Sequence, residues 1–169
     1  MRTVDPAALR DSLRGVRGLL LDLDGVIVSA GQAVPGSVDA INELERRGTA
    51  YRIVTNTSLV SRRSLSQLAA KLGNEIPPER FQSALSASAA YAARAFPGQP
   101  LYVLSSGDAK TEFDGQHLLT HEEAAAPVAR AAAVIVGDSP DALTYSNLNL
   151  AFRLVRGGAR LIGMHRNAW

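Results

Sequence analysis

The 169-residue chain contains no cysteine. That excludes disulfide staples and cysteine-based metal sites, and it leaves no mark of a redox compartment. Lysine is nearly absent as well: Lys71 and Lys110 are the only two, and arginine supplies the rest of the positive charge. With a formal net charge of +2 and no basic run long enough to follow a phosphate backbone, no nucleic-acid partner is expected. Long hydrophobic runs are also missing. No apolar stretch approaches the roughly 20 residues of a membrane span, and the opening MRTVDPAALRDSLRGVRG lacks the apolar segment of a signal peptide. The expectation is a cytoplasmic protein with no membrane partner. What is present is ordinary globular material, 46% hydrophobic, without internal repeats or a low-complexity linker.

Read along its length, the sequence alternates strand and helix signals. Asp5-Pro6 marks a short helix that ends at Gly15. Residues 18–24 read as a buried strand, followed by a polar loop, VSAGQAVPGS. Ser37 is the expected N-cap of a helix with Val38, Ile41 and Leu44 on its apolar face and Gly48 beyond its end. AYRIVTNTS is a second strand, and SRRSLSQLAAKLG a helix with Leu65, Leu68, Ala69 and Leu72 at helical spacing. Strand, helix, strand, helix is the signature of right-handed crossovers in a parallel sheet. After Pro77-Pro78 come an Ala-rich helix (SALSASAAYAARAF), strands at LYVLSS and AAAVIVGD, an amphipathic helix (TYSNLNLAFRLVRGG) and a last strand (ARLIGMHRN). The expected fold class is α/β, a Rossmann-like parallel sheet followed by a second α/β unit, divided as residues 1–80 and 81–169.

One stretch resists a purely structural reading. LLLDLDGVIV carries Asp22 and Asp24 at the end of its most apolar segment, where an uncompensated carboxylate is costly. Period two places both side chains on one side of the strand. Two carboxylates that close repel unless a cation or a shared proton intervenes. Mg²⁺ suits them, because it takes a few oxygen ligands together with water and substrate phosphate. Ligands of open parallel sheets bind beyond the carboxyl ends of the strands, and the second strand ends there in Thr55, Asn56, Thr57 and Ser58.

LLLDLDGVIV and IVTNTS resemble the first two motifs of the haloacid dehalogenase-like phosphohydrolases. VIVGDSPDALTYSNLNLAFRLVRGGARLIGMHRNAW resembles the inserted cap of their class IIA branch, which includes nitrophenylphosphatase-like and phospholysine/phosphohistidine pyrophosphatase-like enzymes. The resemblance implies a Rossmann-like core with an α/β cap, both incomplete in this chain, and an Mg²⁺-dependent phosphatase acting on a small phosphorylated substrate. Asp22 would be the nucleophile that becomes an aspartyl phosphate. Asp24 would act as general acid and base. Asp22 and Asp24 would hold Mg²⁺, the latter through its backbone carbonyl. Thr55 and Asn56 would bind the phosphoryl group, and Gly25 would let the chain turn away after the acids.

The resemblance also implies a later Lys and a later acidic pair, which in this branch follow the cap, so the chain is expected to be a C-terminally truncated form. Two alternatives stand beside that reading. A complete, uncapped phosphatase would use Lys110 with Asp138 or Asp141 of VGDSPD. A non-catalytic remnant would keep the phosphate cradle without turnover. A response-regulator-type phospho-acceptor fits less well, since that arrangement puts its acceptor Asp on a later strand. An unfinished core and cap leave apolar faces, for which a homo-oligomer or a complementary segment is the expected cover. His117, His121 and His165 read as surface or loop residues, Arg62 and Arg63 as a solvated helix start, and Tyr145 and Phe152 as core.

Overall fold

A computed structural model describes residues 5, 7–8, 11 and 13–166. The helix expected after Asp5-Pro6 falls largely outside the described residues. Among the described residues, eight strands form two parallel three-stranded sheets and one small hairpin, and five α-helices accompany them.

The first sheet has the order β1 (Gly18–Asp22), β4 (Ala50–Thr55), β5 (Phe81–Ser83), all parallel. The register sets Asp22 opposite Val54 and Thr55 opposite Ser83. Helix α1 (Ser37–Arg46) joins β1 to β4, and α2 (Arg62–Lys71) joins β4 to β5. Alternation along the strands sends Tyr51 and Ile53 into one cluster with Leu23, Ile41, Leu65 and Ala69. The opposite face is bare: Leu20 is 75% exposed. A leucine run reads as a strand buried on both faces, as parallel strands usually are, but among the described residues only one face of β1 is covered. The third strand, at 81–83, lies past the division expected at residue 80.

The segment read as a polar loop is in part a hairpin. β2 (Val28–Ser29) and β3 (Gln32–Ala33) pair antiparallel across Ala30-Gly31, whose φ values of 48° and 74° are those of a type I′ turn. Ser37 does not cap α1. Gly36, at φ 84°, occupies the N-cap position, and the Ser37 hydroxyl instead donates to the Ile27 carbonyl at 3.1 Å. Ser61 does cap α2, accepting from the Ser64 amide.

The second sheet runs β6 (Leu101–Leu104), β7 (Ala133–Val136), β8 (Arg160–Gly163), again parallel. It is covered on both faces. Helix α3 (Ala84–Ala95) and a 3-10 turn at Ala109–Phe113 pack Leu85, Ala89 and Phe113 against Leu101, Val103 and Ile135. Helices α4 (His121–Ala125) and α5 (Tyr145–Arg156) pack Ala124, Leu150 and Leu154 against Tyr102, Leu104 and Val134. On α5, Tyr145 and Phe152 are not core, as their spacing suggested: they are 89% and 61% exposed, because Leu150, Ala151 and Leu154 take the inward positions. No helix among the described residues is long and apolar enough to cross a membrane.

Candidate active site at the carboxyl end of the first sheet

Parallel pairing of β1 and β4 brings their carboxyl ends together, and the sequence-selected residues meet there. Asp22 ends β1, and the Leu23 amide continues the ladder onto the Val54 carbonyl at 3.2 Å. Leu23 turns into the core, 6% exposed, so Asp22 and Asp24 on either side of it both face solvent. After Asp24 the chain reverses tightly. Gly25 sits at φ 81°, its amide donates to the Val28 carbonyl at 2.7 Å, and the Ile27 and Val28 amides both return to the Leu23 carbonyl. A left-handed φ costs a residue with a Cβ roughly 1–2 kcal/mol, and glycine avoids it.

Thr55, 8% exposed, donates its hydroxyl to Asp24 Oδ2 at 3.3 Å and accepts the Thr57 amide at 3.2 Å. The hydroxyl thus links the acid loop after β1 to the loop after β4. Asn56 lies exposed next to it. Two exposed carboxylates with a hydroxyl between the loops form a set of hard oxygen donors, of the kind that suits Mg²⁺, which needs only one or two protein carboxylates beside phosphate and water. No cluster of three metal-ligating side chains forms among the described residues.

The residues of the uncapped alternative do not join this group. Asp138 and Asp141 follow β7, in a different sheet from β1. Asp138 is committed elsewhere: Oδ2 accepts the Ser58 hydroxyl at 3.1 Å and lies 2.8 Å from His165 Nε2. Lys110 is exposed on the 3-10 turn of the second unit. His165, read as a surface residue, is instead enclosed, with 15% of its side chain exposed.

Sequence reasoning missed a second constellation where the two units meet. Asp108 accepts the Ser61 amide at 3.0 Å, the Ser61 hydroxyl, and the Ser64 hydroxyl at 2.6 Å. Glu112, with only 6% of its side chain exposed, accepts the Arg62 amide at 2.6 Å and Arg62 Nε at 2.9 Å. Arg62 is therefore no merely solvated helix start. Two carboxylates of the second unit cap the N-terminus of α2, where unsatisfied amides and the helix dipole favour negative charge. Partial burial pushes the Asp108 carboxyl up, but the hydrogen bonds from Ser61 and Ser64 outweigh it and hold the group below the ordinary aspartate value. A cleft of about 710 Å³ opens at this junction, lined by Arg62, Arg63, Glu79 and Thr111 among others; neither Asp22 nor Asp24 lines it. No sequence signal marks these pairs, because the partners stand 44 to 50 residues apart.

Residues 19–118, more than half of the chain, match the haloacid dehalogenase-like hydrolase family. The chain belongs to that family. Haloacid dehalogenase-like hydrolase domain-containing protein 2 of Rattus norvegicus is 31% identical over 153 residues, covering 90% of this chain and 54% of the relative. The phospholysine phosphohistidine inorganic pyrophosphate phosphatase of Rattus norvegicus is 29% identical, covering 88% and 52%. Among solved structures, the p-nitrophenyl phosphatase from Archaeoglobus fulgidus superposes with a TM-score of 0.77 at 24% identity, over 89% of this chain and 56% of that one. These likenesses bear out the resemblance to the class IIA branch of the haloacid dehalogenase-like hydrolases and the α/β fold class. The chain spans about half the length of the curated relatives it matches.

Proposed function

We propose that the chain carries the nucleophile and the phosphate cradle of an Mg²⁺-dependent phosphomonoester hydrolase acting on a small phosphorylated substrate. The observation that carries this reading is the Thr55 hydroxyl bonded to Asp24 beside Asp22, in a member of a hydrolase family whose relatives include a named phosphatase. In this reading an Asp22 carboxylate oxygen attacks phosphorus, forming an aspartyl phosphate while the bond to the leaving oxygen breaks. Asp24 gives its proton to that oxygen, then takes one from the water that attacks the same phosphorus, which releases phosphate and restores Asp22. Thr55 and Asn56 hold the phosphoryl oxygens. The Asp22 carboxylate and the Asp24 backbone carbonyl would hold Mg²⁺, which neutralises phosphate charge when bound.

Binding without turnover is the second reading. Its observation is local: among the described residues Lys71 closes α2 and Lys110 lies on the second unit, so neither lysine directly follows β1, β4 or β5.

One experiment separates the two. Nitrophenol release from nitrophenyl phosphate is measured with Mg²⁺ for the wild type, Asp22→Asn and Asp24→Asn, and the protein mass is followed in parallel. Under the hydrolase reading, Asp22→Asn abolishes release, and Asp24→Asn slows it by about 10²–10⁴-fold. Equal rates in wild type and Asp22→Asn refute it. A stable phosphoryl adduct without turnover supports the second reading.

A further inference from the structure

The loop of the phosphate cradle is held at both ends, and its far end is held by the second unit. Thr55 fixes the near end through Asp24. Three residues on, Ser58 is fully buried, and the second unit takes both its hydroxyl and its carbonyl: the hydroxyl donates to Asp138 Oδ2 at 3.1 Å and accepts the Asp138 amide at 2.8 Å, while the carbonyl accepts the Ser105 hydroxyl at 3.0 Å. Asp138 is aimed in turn by His165, whose Nε2 lies 2.8 Å from the same Oδ2. Gly137 makes the approach possible. A Cβ there would stand 3.0 Å from Ser58 Cβ and 2.7 Å from Met164 Sδ. Buried polar groups of this kind are costly to leave unpaired, so the contact is a specific attachment rather than a surface touch.

We propose that Asp138 is a positioning residue for the phosphate cradle, acting through Ser58, with His165 orienting its carboxylate. The second unit then sets the shape of the loop that receives phosphate, in addition to whatever it contributes to substrate choice. This rests on the reading of Thr55 and Asn56 as phosphate ligands. Asp138 touches neither substrate nor reacting atoms in it; the effect passes along Asp138, Ser58 and the backbone to Thr57 and Thr55.

The test uses two readouts on the wild type, Asp138→Ala, Asp138→Asn and Gly137→Ala. The first is hydrogen exchange of the 55–60 segment without phosphate, with the β4 and β7 interiors as internal standards. The second is the Kd for inorganic phosphate, followed by phosphorus NMR. Asp138→Ala and Gly137→Ala are expected to speed exchange in 55–60 while the standards keep their protection, and to weaken phosphate binding by about tenfold, the scale of one lost hydrogen bond. Asp138→Asn keeps an oxygen acceptor and is expected to restore both. Unchanged exchange in 55–60 for Asp138→Ala overturns the proposal. So does a uniform rise across all segments, which would mark a purely structural role. A wild type that binds no phosphate removes the cradle reading itself, and the exchange comparison still decides the coupling.

Discussion

Replacing Asp108 with Ala withdraws one acceptor from three donors: the Ser61 amide, the Ser61 hydroxyl and the Ser64 hydroxyl. Ser61 is 2% exposed, so water reaches its amide poorly once the carboxylate is gone. Hydrogen bonds to a charged group contribute about 1.5–3 kcal/mol each when removed singly. The three share one partly solvated carboxylate, whose worth is reduced by solvent screening, and the Ser61 hydroxyl still accepts the Ser64 amide. The combined loss is therefore set at about 2–3 kcal/mol, somewhat above the roughly 0.5–2 kcal/mol of a single helix cap. In a chain of this size that lowers Tm by about 4–12 °C. Urea and thermal unfolding followed by circular dichroism measure it, and a change under about 0.5 kcal/mol would refute the reasoning that the second unit caps α2. The pH dependence gives an independent check. Because the folded carboxyl sits below its ordinary value of 3.8, the unfolded chain takes up the proton first as pH falls. The stability Asp108 adds is fully present above that value and is lost as pH drops through the lower folded one. The gap between wild type and Asp108→Asn should close over the same interval.

Three further outcomes follow from the packing and the site. Leu20→Thr should change stability by no more than about 0.5 kcal/mol, whereas Leu85→Ala, at a fully buried position, should cost about 3–4 kcal/mol in urea unfolding; equal costs would mean that the outer face of β1 is covered. Thr55→Val should cost about 1 kcal/mol from the lost hydroxyl and raise the Kd for inorganic phosphate, and unchanged phosphate binding would remove Thr55 from the cradle. Gly25→Ala should cost about 1–2 kcal/mol from backbone strain alone, since a Cβ there meets nothing within 4 Å, and a neutral result in thermal unfolding would show that the turn after Asp24 relaxes.

Much of this was legible in the sequence, and the rest was hidden for identifiable reasons. Local chemistry read well: the helix at SRRSLSQLAAKLG, the parallel β-α-β order, and the meeting of Asp22, Asp24 and Thr55 at one sheet end. Ser37 misled because a neighbouring glycine took the cap and freed its hydroxyl for Ile27. The hairpin was missed because Ala30 is a poor herald of a left-handed turn. Tyr145 and Phe152 share a helix face with one another but not with Leu150 and Leu154, and spacing alone does not say which face turns inward. Leu20 read as core because a leucine run is silent about whether one face or two will be covered. Asp108 and Glu112 carry no pattern at all, and Asp138, marked in VGDSPD for a different role, and His165 gave no sign of their contacts, since each of the four finds its partner 27 to 80 residues away.

The capping of α2 from outside also orders events in time. The amides of Ser61 and Arg62 wait for carboxylates at positions 108 and 112. On a ribosome, which releases the chain from its N-terminus at about 5–20 residues per second, α2 emerges several seconds before its caps do. During that interval the helix start must rely on the Ser61 hydroxyl and on water. The nascent first sheet is thus a provisional structure, completed only when the 3-10 turn at Ala109–Phe113 arrives, and a pause in translation within residues 65–108 would prolong the period in which it is most open to misfolding.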